Sequence, residues 1–167
     1  YANRYGAIRR MMVETNLDLL VIHGSSSNSL HGQANVHYVS NVLARHDAYV
    51  IFPLDGEPSL LVEVYNHLAN AKDLSVIKDT RWAGVDSAST VAGEILGKGH
   101  GGSRIGLVGR IPYQVNQRLT KELSRAEFSD VTGLYTELRL VKSEEELDWI
   151  RKGASFTDRA MEALEHH

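Results

Sequence analysis

The sequence predicts an α/β sandwich built around a mixed sheet with one antiparallel hairpin. Three observations predict it. Apolar runs of strand length alternate with segments of helical period along the 167 residues, a rhythm that packs helices against a sheet. The pair Asp55-Gly56 stands between two apolar runs, a strong hairpin signal. A composition of 43% apolar and 23% charged residues is that of an ordinary globular chain, long enough to bury a core as one domain.

Residues 4–15 carry Tyr5, Ile8, Met11 and Met12 at helical spacing, and Asn16 is suited to a left-handed C-cap. Residues 17–23 form an apolar run of strand length, closed by Gly24 and a Ser/Asn-rich loop through 29. A second short apolar segment covers 35–40. Residues 48–53 read as a strand and 58–64 as its return across Asp55-Gly56, the one antiparallel pair legible in the sequence. Then 65–73 read as helical, 74–78 as strand-like and 85–96 as helical, with 104–108 a buried type of strand. Pro112 opens a helix to 123, in a first turn where its missing N–H costs nothing. Residues 127–131 read as strand-like and 134–139 as a short helix or turn.

The last stretch is the most strongly signalled. Ser143 followed by Glu146 is a capping box, each side chain satisfying a free backbone N–H of the first turn. Glu144, Glu145 and Glu146 stand where the helix dipole favours negative charge. Beyond them Leu147, Ile150, Ala154, Thr157, Met161 and Leu164 make one stripe, and Trp149, Gly153, Phe156, Ala160 and Ala163 a second beside it. Two apolar stripes ask for two partners, against the single face of an ordinary surface helix, and one partner is expected to be missing from this chain. Residues 164–167, Leu-Glu-His-His, read as the remnant of a purification tag. With a first residue that is not Met, this makes the chain, by expectation, a piece of a larger protein.

A formal net charge of −3 argues against a nucleic-acid binder, which carries a basic patch. No apolar run reaches the ~18 residues that span a bilayer, and no signal-peptide pattern opens the chain. The absence of cysteine removes disulfides and thiolate chemistry and fits a reducing, cytoplasmic location. The glycine-rich stretch 97–102 follows a helix and precedes a strand, the reverse of what a phosphate loop needs. Gly106-Leu107-Val108-Gly109 lacks the third glycine of a dinucleotide fingerprint and reads as close packing. Gly24-Ser25-Ser26 lacks the second glycine of a nucleophile elbow. None of the histidines 23, 31, 37, 46, 67 and 100 stands in a metal-ligand spacing. Arg45-His46-Asp47, in the turn before a buried strand, is the most promising contact cluster. No catalytic residue and no metal ligand emerges.

The chain resembles the N-terminal domain of the creatinase/prolidase/aminopeptidase P family, metallohydrolases with a "pita-bread" catalytic domain. The resemblance is carried by Arg9-Arg10-Met11 with Leu17-Asp18-Leu19-Leu20-Val21, by Asn35-Val36-His37-Tyr38-Val39-Ser40, by the hairpin around Asp55-Gly56-Glu57-Pro58, and by Arg104-Ile105-Gly106-Leu107. Most specific is Glu137-Leu138-Arg139-Leu140-Val141-Lys142-Ser143-Glu144-Glu145-Glu146-Leu147 with Ile150-Arg151-Lys152-Gly153-Ala154. One departure is Asn41, where the family often has glycine. The resemblance implies a three-layer α/β/α, ribonuclease-H-like domain over 1–142 and a linker helix over 143–163 that begins an absent catalytic domain, with the tag remnant 164–167 outside it.

It also implies a role. The family's two divalent metals (Mn, Co or Zn) are held by the catalytic domain, so none is expected in this fragment, and no catalytic or metal residue is carried over. The N-terminal domain is expected to help assemble a homodimer and to wall the substrate pocket, with Arg45, His46 and His37 as substrate-contact candidates. The parent is then an Xaa-Pro dipeptidase or aminopeptidase. Alternatives are a creatinase-type C–N hydrolase, or a protein-binding or chaperone module that has lost the metal ligands. Neither nucleic acid nor membrane is an expected partner.

Overall fold

The computed structural model describes residues 1–26 and 30–165, with no description of the side chains of Leu30 and His31. Residues 27–29 of the Ser/Asn-rich loop, and His166 and His167 of the tag-like tail, lie outside the described residues. The chain divides into two compact units, Tyr1–Thr136 and Glu137–His167.

In the first unit α1 (Ala2–Glu14) leads into β1 (Leu19–Gly24), a 3-10 turn (Leu30–Gln33) into α2 (Ala34–Ser40), and β2 (Ala48–Pro53) into β3 (Ser59–Val62). A second 3-10 turn (Tyr65–His67) precedes α3 (Leu68–Leu74), followed by β4 (Asp79–Trp82), α4 (Ser87–Gly97), β5 (Arg104–Val108), α5 (Tyr113–Glu122), β6 (Glu127–Asp130) and α6 (Thr132–Leu140), whose last four residues fall to the second unit. The six strands form one sheet in the order β4-β3-β2-β1-β5-β6. The predicted hairpin pairs β2 with β3, and β2 is also antiparallel to β1, with Val21 opposite Ile51. The other three pairings are parallel. That second antiparallel pair is invisible to a local reading because 23 residues separate its strands, against the five of the hairpin.

Every residue of β1, β2 and β3 is buried, as strands covered on both faces must be. Leu19, Val21, Tyr49, Ile51 and Leu61 face Val91, Ala92 and Ile95 of α4 and Val115 and Leu119 of α5. By the alternation of a pleated strand, Leu20, Ile22, Val50 and Phe52 take the opposite face. There the Tyr5 ring meets Phe52 edge-on at 5.1 Å and its hydroxyl donates to the Val39 carbonyl at 2.8 Å, tying α1 and α2 to that layer. Tyr135 of α6 joins the same layer, donating to the Asn35 carbonyl at 3.0 Å. The result is the expected three-layer sandwich.

One local expectation moves. Residues 74–78 are not the strand: Leu74 ends α3, and the strand is Asp79–Trp82. Only Thr80 of β4 is buried, so this edge strand carries polar residues and leaves no apolar signature. The apolar segment 35–40 is the helix α2. It ends on Asn41 in the left-handed region at φ 65°, a conformation asparagine adopts where glycine is otherwise usual. Asn16 takes the same conformation after α1, at φ 59°. The glycine-rich stretch is the α4–β5 connection, and Gly106 is a packing glycine: a Cβ there would lie 2.6–2.8 Å from Leu20, Leu17 and Val131 side chains.

In the second unit α7 (Glu144–Glu165) starts with the predicted capping box. The Ser143 N–H donates to Glu146 Oε2 at 2.9 Å, and the Glu146 N–H to Ser143 Oγ at 3.2 Å. None of its residues is buried, and Trp149, Ile150, Phe156, Met161 and Leu164 are 55–71% exposed.

β1 and β5 are fastened at their starts by Asp18. Its carboxylate accepts from the Arg104 backbone N–H at 2.8 Å and from the guanidinium at 3.1 Å, and those bonds hold it below the usual carboxylate range. A depressed carboxyl contributes stability in full above the unfolded value of about 3.9 and loses it as pH falls through the folded value. Asp18→Asn is therefore expected to cost about 1 kcal/mol at pH 7, discounted for partial exposure, and the difference to vanish as urea unfolding is repeated at falling pH below about 4. Gly106→Ala is expected to lower stability by about 1–3 kcal/mol in the same assay, because three packed side chains must move.

Candidate functional site

Because β2 runs against the other strands, its amino end shares an edge with the carboxyl ends of β1, β3, β4, β5 and β6. In open α/β sheets ligands bind outside the carboxyl ends of the strands. The 41–47 segment that leads into β2 lies on this edge, and it carries Arg45 and His46.

This loop is tied at both ends and open at its tip. The Ser40 hydroxyl donates to the Val36 carbonyl at 2.7 Å and accepts the Val42 N–H at 3.1 Å, and Asn41 Nδ2 donates to the Leu74 carbonyl at 3.2 Å. Val42 is buried beneath. At the other end the Gln33 side-chain amide donates to the His46 carbonyl at 2.7 Å, and the Glu63 N–H to the Asp47 carbonyl at 3.1 Å. Between these ties Leu43, Arg45 and His46 are exposed. Arg45 shares a cleft of about 130 Å³ with Val42, Val62, His67 and Asn70. At ~30 Å³ per water that is room for a small group, not for a whole drug-sized ligand.

The polar cluster under the loop contains a residue the sequence did not single out. His23, on β1 and 4% exposed, holds Nε2 3.5 Å from Asp47 Oδ2, with its ring centroid 5.0 Å from that of Tyr49. The His23 imidazole keeps the Asp47 carboxyl below its usual range, outweighing burial, and the Ser25 hydroxyl adds to this. Burial pushes the Tyr49 hydroxyl up, with the Asp47 charge adding to the effect. Ser25 supports the same Asp47 carboxylate that His23 Nε2 faces. The signal that could have found His23 is its place in an otherwise apolar run, where a buried histidine requires a polar partner.

Of the three contact candidates, Arg45 and His46 stand together at the loop tip. His37 is half-buried on α2, ahead of the loop, and its carbonyl accepts the Asn41 N–H at 3.0 Å. His67, at the start of α3, joins Arg45 at the cleft without having had any sequence signal. His100 turns inward to Ser103 Oγ at 3.0 Å in the α4–β5 connection. Among the described residues no three His, Asp or Glu side chains converge as metal ligands. A broad, shallow groove between α4 and α5, lined by Val85, Gln114 and Lys121, is crossed by an Asp86–Arg118 ion pair at 3.1 Å.

The creatinase/prolidase N-terminal domain model matches residues 4–141. No curated protein sequence matches the chain. Among solved structures it is similar to the prolidase from Pyrococcus horikoshii OT3, with 22% identity and a TM-score of 0.69 over 96% of this chain and 42% of that one. It is similar to the Xaa-Pro dipeptidase from Bacillus anthracis, with 17% identity and a TM-score of 0.72 over 97% of this chain and 42% of that one. It is also similar to the N-terminal domain of the cytoplasmic peptidase PepQ from Mycobacterium tuberculosis H37Rv, with 16% identity and a TM-score of 0.64 over 81% and 98%. At these identities the likeness is one of fold. The chain spans less than half the length of the first two proteins. By the family match across most of its length, this chain belongs to the creatinase/prolidase N-terminal domain family.

Proposed function

We propose that this chain is the non-catalytic N-terminal domain of a metal-dependent Xaa-Pro dipeptidase or aminopeptidase, in which it walls the substrate pocket and takes part in a homodimer. The observation that carries this reading is the anchored 41–47 loop, which offers Arg45 and His46 at the carboxyl edge of the sheet. A cation and an imidazole on a fixed backbone suit an anionic or hydrogen-bonding end of a short peptide, and a wall of this kind orders substrate and excludes water.

The two divalent cations of such an enzyme do not fit the residues here. His23 and Asp47 are two donors already facing each other, without a third beside them among the described residues. We assign the metal centre to a catalytic domain following this one, with 143–163 as its first helix. The exposed apolar residues of α7 support that partner, since contiguous apolar patches mark contact surfaces. The proposed location is the cytoplasm. No helix among the described residues is long and apolar enough to cross a membrane.

The full-length protein, supplied with Mn²⁺ and an Xaa-Pro dipeptide, is expected to hydrolyse it, and Arg45→Ala to raise KM about tenfold with kcat within about twofold, the mark of lost uniform binding. Full-length protein that fails to hydrolyse any Xaa-Pro peptide would turn the reading toward a protein-binding module. The 167-residue chain alone is expected to give no turnover with the same metals, and sedimentation of the full-length protein to give a dimer.

A further inference from the structure

Gln33 is 1% exposed and makes one side-chain hydrogen bond among the described residues, from Nε2 to the carbonyl of His46 at 2.7 Å. Its Oε1 is buried with no partner among them. The opposite amide orientation would set carbonyl against carbonyl, so the donor must face the loop. An orphaned amide oxygen destabilises, and an apolar side chain of the same length would avoid that cost. What glutamine adds is the fixed position of the His46 backbone.

Two neighbours sharpen this. A Cβ on Gly24 would stand 2.9 Å from Gln33 Oε1 and 2.9 Å from Val36 Cγ2, so the glycine leaves the space through which Gln33 reaches the loop. Asp47, the next residue after His46, is held by its carboxylate 3.5 Å from His23 Nε2 and by its carbonyl through the Glu63 N–H. Two consecutive loop residues are thus gripped from three elements, immediately after the exposed Arg45.

We infer that Gln33 is the positioning residue of the 41–47 loop, fixing its backbone so that Arg45 and His46 meet the substrate in one orientation. This rests on the reading that those two side chains face substrate. Gln33 touches no substrate itself. Groups presented on a backbone held from behind bind with less ordering cost than groups on a free loop.

The test uses full-length protein and Gln33→Met, which keeps the side chain's length while removing both the N–H and the orphaned oxygen. Gly24→Ala, which crowds Gln33 from the other side, is the second variant. Arg45 makes the loop tip a trypsin site, and local cleavage follows local opening. Both variants are expected to be cut after Arg45 about tenfold faster than wild type, with an unchanged or raised Tm for Gln33→Met, and to raise KM with kcat unchanged. Unchanged cleavage overturns the inference, as does faster cleavage with unchanged KM where Arg45→Ala does raise KM. If Arg45→Ala leaves KM unchanged, the substrate-facing reading fails, and the positioning role for substrate fails with it. Gln33→Asn, which keeps the amide but shortens its reach, is expected to restore part of the protection.

Discussion

One strand sets the direction of everything else. β2 opposes its five companions, so the segment that enters it opens onto the edge where β1, β3, β4, β5 and β6 end. Were β2 parallel, its leading loop would lie at the far end of the sheet, away from the 3-10 turn after β3 and from His67. The reversal is built on buried apolar pairs such as Val21 opposite Ile51 and Ile22 opposite Val50. A register slip of one residue would turn each of these faces over. The loop that carries Arg45 and His46 is therefore placed by apolar packing.

The central strand β1 is fixed by polar contacts at both ends. Asp18 grips the start of β5 at one end, and His23 meets Asp47 at the other. Between them Leu19 to Ile22 are wholly buried. Apolar burial supplies the drive to fold but is non-directional, whereas the two polar contacts specify where the neighbouring strands begin. The His23–Asp47 contact is the more enclosed of the two, with His23 buried and Asp47 half-buried. The Asp18–Arg104 contact is open enough for water to moderate its loss.

The readable parts of the sequence were those where local chemistry and fold agree. Residues 48–53 and Asp55-Gly56 state the hairpin outright, and Ser143 with Glu146 states the start of α7. The edge strand β4 was not readable as one. Asp79, Arg81 and Trp82 are partly or well exposed there, so selection for burial left no alternation to detect. Residues 35–40 hid a two-turn helix because seven residues are too few for a period to declare itself. At the site, Arg45 and His46 could be nominated from their place before a buried strand. Gln33, His67 and the His23–Asp47 contact could not, since they meet the loop from elsewhere in the chain and only the folded sheet brings them together.

The proposed function requires the 41–47 loop to face substrate from the carboxyl edge of this sheet. A crystal structure of the full-length protein with a non-hydrolysable Xaa-Pro analogue tests that most directly. The expected result is Arg45 or His46, of the same or a neighbouring subunit, within about 3 Å of a polar atom of the analogue. A bound analogue with both side chains turned to bulk solvent, and another surface of the domain closing the pocket, would contradict it.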